Sequence, residues 1–238
     1  MLTFAGVSLT YSDGPVFERL DLSVEPGRLV ALLGPSGCGK TSTLKIAAGL
    51  LEPDRGLVEN RFRRTAVVFQ EPRLLPWADA RDNAAFGLAA FGSRRADRQA
   101  RAAGLLTRFG LTSADLAKRP AQLSGGMQSR VAIARAYAVE PDLVLMDEPF
   151  AALDVGLRRD LQVLVRHEVE RRSAAVLFVT HDVTEALRLA DRIVVLSPRP
   201  ARIVHDAENT PIADPAAVHA AAAALLDQPA VRAALLHR

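Results

Sequence analysis

The sequence predicts an α/β fold in which a mostly parallel sheet is flanked by helices, and three observations carry that reading. Short apolar runs without alternation, Leu29–Leu33, Ala66–Phe69, Leu143–Met146 and Val176–Val179, have the length and composition of strands buried on both faces. From Ser124 to about Leu196 such runs alternate with amphipathic helical stretches, the pattern of parallel strands joined by crossover helices. Between the first run and the helix-like stretch from Thr41 to Ala48 lies a glycine-rich loop, Gly34-Pro35-Ser36-Gly37-Cys38-Gly39-Lys40-Thr41.

Along the chain, residues 1 to about 70 alternate strand signals with turns at Glu25-Pro26-Gly27 and Glu52-Pro53-Asp54-Arg55-Gly56. From about Glu71 to Gln122 the chain turns helical and arginine-rich. Arg94, Arg95, Arg98, Arg101 and Arg108 read most simply as a solvated helix face. From His205 the chain reads as polar coil, then an Ala-rich helix broken by Asp214-Pro215 and Gln228-Pro229, with no chemistry in it. The expected division is therefore a single domain over 1–204, with the helical stretch at about 71–122, and a short tail over 205–238. A length of 238 residues suffices for one sizeable core plus a smaller subdomain.

A net charge of +3 does not demand a nucleic-acid partner, and none is expected. With three lysines in the chain, Lys40 is not one of a crowd. The single cysteine, Cys38, excludes an internal disulfide and fits a reducing compartment. No basic stretch followed by an apolar core opens the chain, and Asp13-Gly14-Pro15 interrupts early, so no signal peptide is expected. The most apolar stretch, Ala216 to Leu226, is broken by His219 and too short to span a bilayer.

The loop from Gly34 to Thr41 fits G-x-x-x-x-G-K-[ST], the phosphate-binding P-loop. Its glycines let the backbone curl so that N–H groups of Gly34, Pro35's neighbour Ser36, Gly37, Cys38, Gly39 and Lys40 can face phosphate oxygens. The helix opening at Thr41 and Ser42 adds its positive end. Lys40 would reach the β- and γ-phosphates, and the Thr41 hydroxyl would take a place on Mg²⁺. The N–H groups and Lys40 would also lower the pKa of Cys38, which predicts a reactive thiol. The run Leu143–Met146 ends in Asp147 and Glu148, the form of a Walker B segment. Asp147 would hold Mg²⁺ through a water, and Glu148 would orient and deprotonate the attacking water. A nucleoside-triphosphate-binding P-loop core follows.

Leu123-Ser124-Gly125-Gly126-Met127-Gln128 resembles the signature motif of the ATP-binding-cassette (ABC) ATPases, and the other elements of that family follow in order. The resemblance implies ATP and Mg²⁺ as ligands. It also implies a head-to-tail dimer, in which Ser124, Gly125, Gly126 and Gln128 of one subunit close over ATP on the other's P-loop. It makes Tyr11 the aromatic that stacks on adenine, and Gln70 the Q-loop residue at Mg²⁺ or the lytic water. Ala152-Leu153-Asp154 becomes the D-loop at the dimer interface, and His181 the switch histidine at the γ-phosphate. The helical stretch becomes an inserted subdomain, and the first strands an N-terminal antiparallel β part. Between Arg55 and Gln70 the chain is shorter than the family usually is, which puts that small antiparallel sheet in question.

Phe69-Gln70-Glu71-Pro72-Arg73-Leu74-Leu75-Pro76-Trp77, followed by Asp82-Asn83, resembles the importer ATPases of the nitrate, sulfonate and taurine type. This resemblance implies a peripheral ATPase at the cytoplasmic face of the inner membrane. Integral permease subunits would be direct partners, and a solute-binding protein an indirect one. Pairing with itself or with a second ABC ATPase both fit. Trp77 is either an anchor for the membrane partner or a filler of the subdomain core. A soluble ABC protein acting on DNA or the ribosome is disfavoured by the single cassette, the absence of sustained heptads and the lack of a Cys cluster. An exporter-type ATPase would share the chemistry. The solute is not legible.

Overall fold

A computed structural model describes residues 1–92, 94–151 and 153–236. Alternating burial along Leu2–Tyr11 (β1) and Gly14–Val24 (β2) builds an antiparallel pair with one face in the core, Phe4 opposite Leu22 and Leu9 opposite Phe17. Leu29–Leu33 (β3), buried throughout, opens a second sheet and leads through the glycine-rich loop into Lys40–Ala47 (α1). Arg55–Asn60 (β4) then pairs with the free edge of β1, Phe4 opposite Val58. The small antiparallel sheet is thus present, with order β2-β1-β4. The shortened segment still supplies six strand residues.

The large sheet adds Thr65–Val68 (β5), Leu143–Asp147 (β6), Ala175–Thr180 (β7), Arg192–Leu196 (β8) and Ile203–Glu208 (β9), in the order β5-β6-β7-β3-β8-β9. All its pairings are parallel except β8 with β9. The period of two along each strand divides the core. Ala31, Met146 and Phe178 face helices, whereas Leu32, Leu145, Leu177 and Val179 pack against β1, β2 and α1.

The helical part runs through Ala80–Ala85 (α2), a 3-10 turn at Phe86–Phe91 and Arg95–Arg108 (α3) to Gly125–Ala138 (α4). Helix α3 buries Ala102, Leu105 and Leu106. Its arginines lie on the outer side, where Arg95 pairs with Asp82, Arg101 with Glu140 and Arg108 with Glu168. Val155–Arg172 (α5) and Val183–Leu189 (α6) complete the crossovers.

The tail differs from its sequence reading. The segment beginning at His205, expected as coil, belongs to the edge strand β9, held by Arg192 with two 2.6 Å bonds to the Asp206 carboxylate. An edge strand needs one apolar face only, so its polar residues hid it. Asp214-Pro215 does not break a helix but starts one, Pro215–Asp227 (α7). The Asp214 side chain accepts the Ala217 N–H at 2.7 Å, and proline fits the first turn. Pro229–Leu236 (α8) follows. Among the described residues no helix is long and apolar enough to cross a membrane.

Candidate active site

The site grows from the carboxyl ends of three adjacent strands. In register, Leu33 of β3 lies beside Thr180 of β7, and Asp147 of β6 beside Val179. The glycine-rich loop, the Asp147-Glu148 pair and His181 therefore leave the sheet side by side. Gly39 has φ 110°, and a Cβ there would come within 2.4 Å of Val16, so only glycine closes this turn. Helix α1 then starts with neither a side-chain cap nor an acid in its first turn, unlike α4, α5, α6 and α7, whose N-termini are capped by Ser124, Asp154, Asp182 and Asp214. Its first amides remain available to an anion.

Lys40 is 6% exposed, and its ammonium donates to the Gly34 and Pro35 carbonyls at 2.8 and 2.9 Å. The loop thus wraps its own lysine, leaving the third proton for a ligand. Thr41 Oγ1 donates to Asp147 Oδ1 at 3.2 Å. A hydroxyl and a carboxylate are hard oxygen donors of the kind Mg²⁺ takes, so this pair has the chemistry that would hold the ion. Burial pushes the Asp147 carboxyl above the ordinary carboxylate range, and the Glu148 charge adds to the shift. The Thr41 bond and Lys40 partly offset it.

Glu148 adopts φ 44°, a left-handed conformation unusual for a side-chain-bearing residue, and its N–H is tied to the Val179 carbonyl at 3.0 Å. Its carboxylate lies 3.3 Å from His181 Nδ1. A cavity of about 430 Å³ gathers Ser36, Lys40 and Thr41 with Gln70, Glu148 and His181. Asp147 lines an adjoining recess of about 210 Å³ with Thr41 and Gln70. The Tyr11 hydroxyl stands 3.1 Å from Ser42 Oγ, so the end of β1 is anchored beside α1.

Other expected residues lie outside this cavity. Ser124 and Gly125 are exposed, and the Ser124 hydroxyl accepts the Met127 N–H at 3.3 Å. Gly126 packs so closely on α5 that a Cβ would come 2.3 Å from Leu157. Gln128, expected at the nucleotide, instead donates its amide protons to the Pro120 and Leu123 carbonyls at 3.1 and 3.2 Å. It holds the turn that presents Ser124. Asp154 is exposed and caps α5 through the Leu157 N–H at 2.9 Å. Ala152 lies outside the described residues.

Two further expectations are resolved. The Cys38 thiol is buried at 1% exposure, and that burial raises its pKa against the weaker pull of Lys40. The expected activation is reversed because desolvation of a thiolate outweighs the neighbouring charge. Trp77 is 72% exposed, which removes the core-filling reading. Its loop is nevertheless fixed. The fully buried Asn83 donates to the Leu75, Ala78 and Asp79 carbonyls and accepts the Leu75 N–H, while Arg135 donates to the Pro72 and Arg73 carbonyls.

Sequence reasoning missed two arginines. Arg199, between Pro198 and Pro200, lines the same cavity as Lys40 and Glu148. Arg158 of α5 donates to the Leu153 carbonyl at 3.1 Å and pairs with Asp182 and Glu185 at 3.5 and 3.7 Å, joining the segment before Asp154 to the one after His181. Arg199 follows β8, which the strand order, and not the sequence, places next to β3 and its loop.

An uncapped helix N-terminus, a carbonyl-wrapped lysine, a magnesium-ready oxygen pair and a poised carboxylate define a P-loop nucleoside triphosphatase. Residues 17–151 match the ABC transporter family. The chain is 44% identical to the taurine import ATP-binding protein TauB of Sinorhizobium fredii over 90% of its own length and 85% of that protein. It is 45% identical to the aliphatic sulfonates import ATP-binding protein SsuB 2 of Burkholderia lata, over 81% and 71% of the two chains. The ATP-binding cassette MJ0796, in a dimeric post-hydrolysis state bound to ADP and Pi, superposes with a TM-score of 0.79 at 29% identity, covering 89% of this chain and all of that one. The chain belongs to the ABC transporter family and is an ATP-binding ATPase.

Proposed function

We propose that this chain is the energy-coupling ATPase of an importer for a small anionic or zwitterionic solute of the sulfonate, taurine or nitrate kind. In this reading two copies, or this chain and a second ABC ATPase, form a head-to-tail dimer on integral permease subunits at the cytoplasmic face of the membrane. Tyr11 offers a face to adenine. The backbone from Gly34 to Ser42 and the Lys40 ammonium hold the phosphates, while Thr41, Asp147 and Gln70 hold Mg²⁺. The ion, when bound, neutralises phosphate charge. Glu148 takes the proton of the attacking water, and His181 orients the carboxylate and contacts the γ-phosphate. Ser124, Gly125, Gly126 and Asp154 serve the partner's nucleotide.

One observation carries this reading: the catalytic groups share one cavity while the signature turn and Trp77 stand exposed on rigidly tied loops. Membrane coupling is tested with the tagged chain purified from detergent-solubilised membranes of its native cell. A polytopic permease subunit is expected among its partners, and Trp77 fluorescence should shift when that subunit is added. Recovery only from the soluble fraction with nucleic acid or ribosomes would overturn the importer reading and leave the ATPase intact.

A further inference from the structure

The loop from Ser197 to Arg202 between β8 and β9 is built to hold one side chain. The Ser197 N–H donates to the Arg202 carbonyl at 2.9 Å and the Arg202 N–H returns to Ser197 Oγ at 3.0 Å. The Ala201 N–H donates to Val16 of β2 at 2.7 Å, and Ala201 is fully buried. Pro198 and Pro200 restrict the backbone on both sides of Arg199. The stem is fixed and the guanidinium, 31% exposed, extends from it towards the nucleotide cavity.

There it makes three contacts. Nε donates to the Gly37 carbonyl of the P-loop at 2.6 Å, Nη1 donates to Asp13 Oδ2 at 2.9 Å, and Cζ stands over the Tyr11 ring at 5.8 Å from its centroid. The ion pair gives little reason for the arrangement, since Asp13 is 68% exposed and such pairs contribute about 0–1 kcal/mol. The spacing over Tyr11 is more informative. Where a guanidinium stacks directly on an aromatic in this protein, as Arg73 does on Phe69, the distance is 4.3 Å. A planar base between two planar groups needs about 7 Å, twice an optimal carbon contact of about 3.5 Å. Arg199 stands between these limits, too far for a stack of its own and about 1 Å short of admitting a base. The side chain's exposure permits that swing.

We propose that Arg199 forms the second wall of the base slot, so that the adenine of ATP is held between the Tyr11 ring and the Arg199 guanidinium. This rests on the reading of Tyr11 as the adenine platform. The bond to the Gly37 carbonyl holds the guanidinium at the slot, while the phosphate loop has its own brace in the Lys40 bonds to the Gly34 and Pro35 carbonyls. Stacking is indifferent to the base edge, so the wall strengthens binding of purine nucleotides in general and leaves phosphate-only ligands unaffected.

The test measures binding of Mg-ADP and of Mg-pyrophosphate by calorimetry on the full chain, with the ATPase KM and kcat alongside. Arg199→Ala should weaken ADP about 5–20-fold and raise the KM for ATP similarly, with kcat and pyrophosphate affinity within about twofold; that loss is about 1–2 kcal/mol, the lower part of what a stacked base contributes. Arg199→Lys keeps the charge but not the plane and should remain weakened for ADP. Equal losses for ADP and pyrophosphate, or full ADP affinity in Arg199→Lys, would overturn the proposal. Tyr11→Ala separates the two readings. If it weakens ADP and Arg199→Ala does not, the wall falls and the platform stands. If neither weakens ADP, both fall.

Discussion

Two helix N-termini in this chain face phosphate chemistry in opposite ways. At α1 the turn is closed by Gly39 and no side chain caps it. Lys40 and Asp147 stand around it buried and Glu148 half-buried, with the exposed His181 beside Glu148. At α4 Ser124 already caps the helix, Gln128 ties down the preceding turn, and the polar edge lies in solvent away from the cavity. The first end gathers uncapped amides and oxygen donors at one place. The second is stable alone and offers a preformed surface. In the proposed head-to-tail dimer the active site is divided, with the reactive half organised within one chain and the closing half displayed for another.

The largest effect should come from the reactive half. Glu148→Gln keeps the shape and removes the proton acceptor, and turnover should fall about 100–10,000-fold, the usual contribution of a general base. ATP affinity should survive, so the variant should accumulate as a closed ATP-bound dimer by size-exclusion chromatography. Near-normal turnover would displace Glu148 from this role.

The division itself can be broken by mixing. Lys40→Ala removes the phosphate ammonium, and Gly125→Asp places a carboxylate on the exposed signature turn. Each variant alone should lose nearly all activity. In a head-to-tail pair of one of each, both defects fall on one site and the other site is intact. Mixed chains should therefore recover a substantial fraction of wild-type turnover, up to about a quarter for random pairing, where a site confined to one chain would recover none. ATPase assays across mixing ratios give the answer directly.

The reactive half was largely legible in the sequence because its residues are contiguous with strand ends. Apolar runs of four or five residues located β3, β6 and β7; Asp147, Glu148 and His181 sit one or two positions beyond theirs, and the loop that carries Lys40 and Thr41 starts directly after β3. Tertiary context was less legible. Burial around Cys38 reversed an expectation founded on neighbouring charge, since charge is visible in sequence and desolvation is not. Gln128 was assigned to the nucleotide by its motif, whereas two carbonyls from the preceding turn claim its amide. Strand β9 escaped because an edge strand with one wet face has no apolar run. Arg199 escaped because its meaning lies in the adjacency of β8 to β3, which only strand order reveals.

The smallest effect concerns what preorganisation costs the reactive half. Burial and the Glu148 charge raise the Asp147 pKa, so between the ordinary value of 3.8 and the raised one the folded chain binds more protons than the unfolded. The stability associated with this group is fully present below 3.8 and is lost as pH rises through the folded pKa. At neutral pH without metal, Asp147 is a buried charge short of partners. Asp147→Asn should accordingly raise the melting temperature in EDTA at pH 7.5 by about 2–4 °C, the shift that about 1 kcal/mol gives a domain of this size. The gain should shrink as the pH falls through the raised pKa and the wild-type carboxyl takes up its proton. Titrating groups not coupled to Asp147, the buried Glu185 among them, are common to both proteins and cancel in the difference. Mg-ATP should reverse the order, because the ion stabilises only the chain that retains the carboxylate. A variant less stable than wild type in EDTA at pH 7.5 would mean that the Thr41–Asp147 bond supports the fold instead of waiting for the ion.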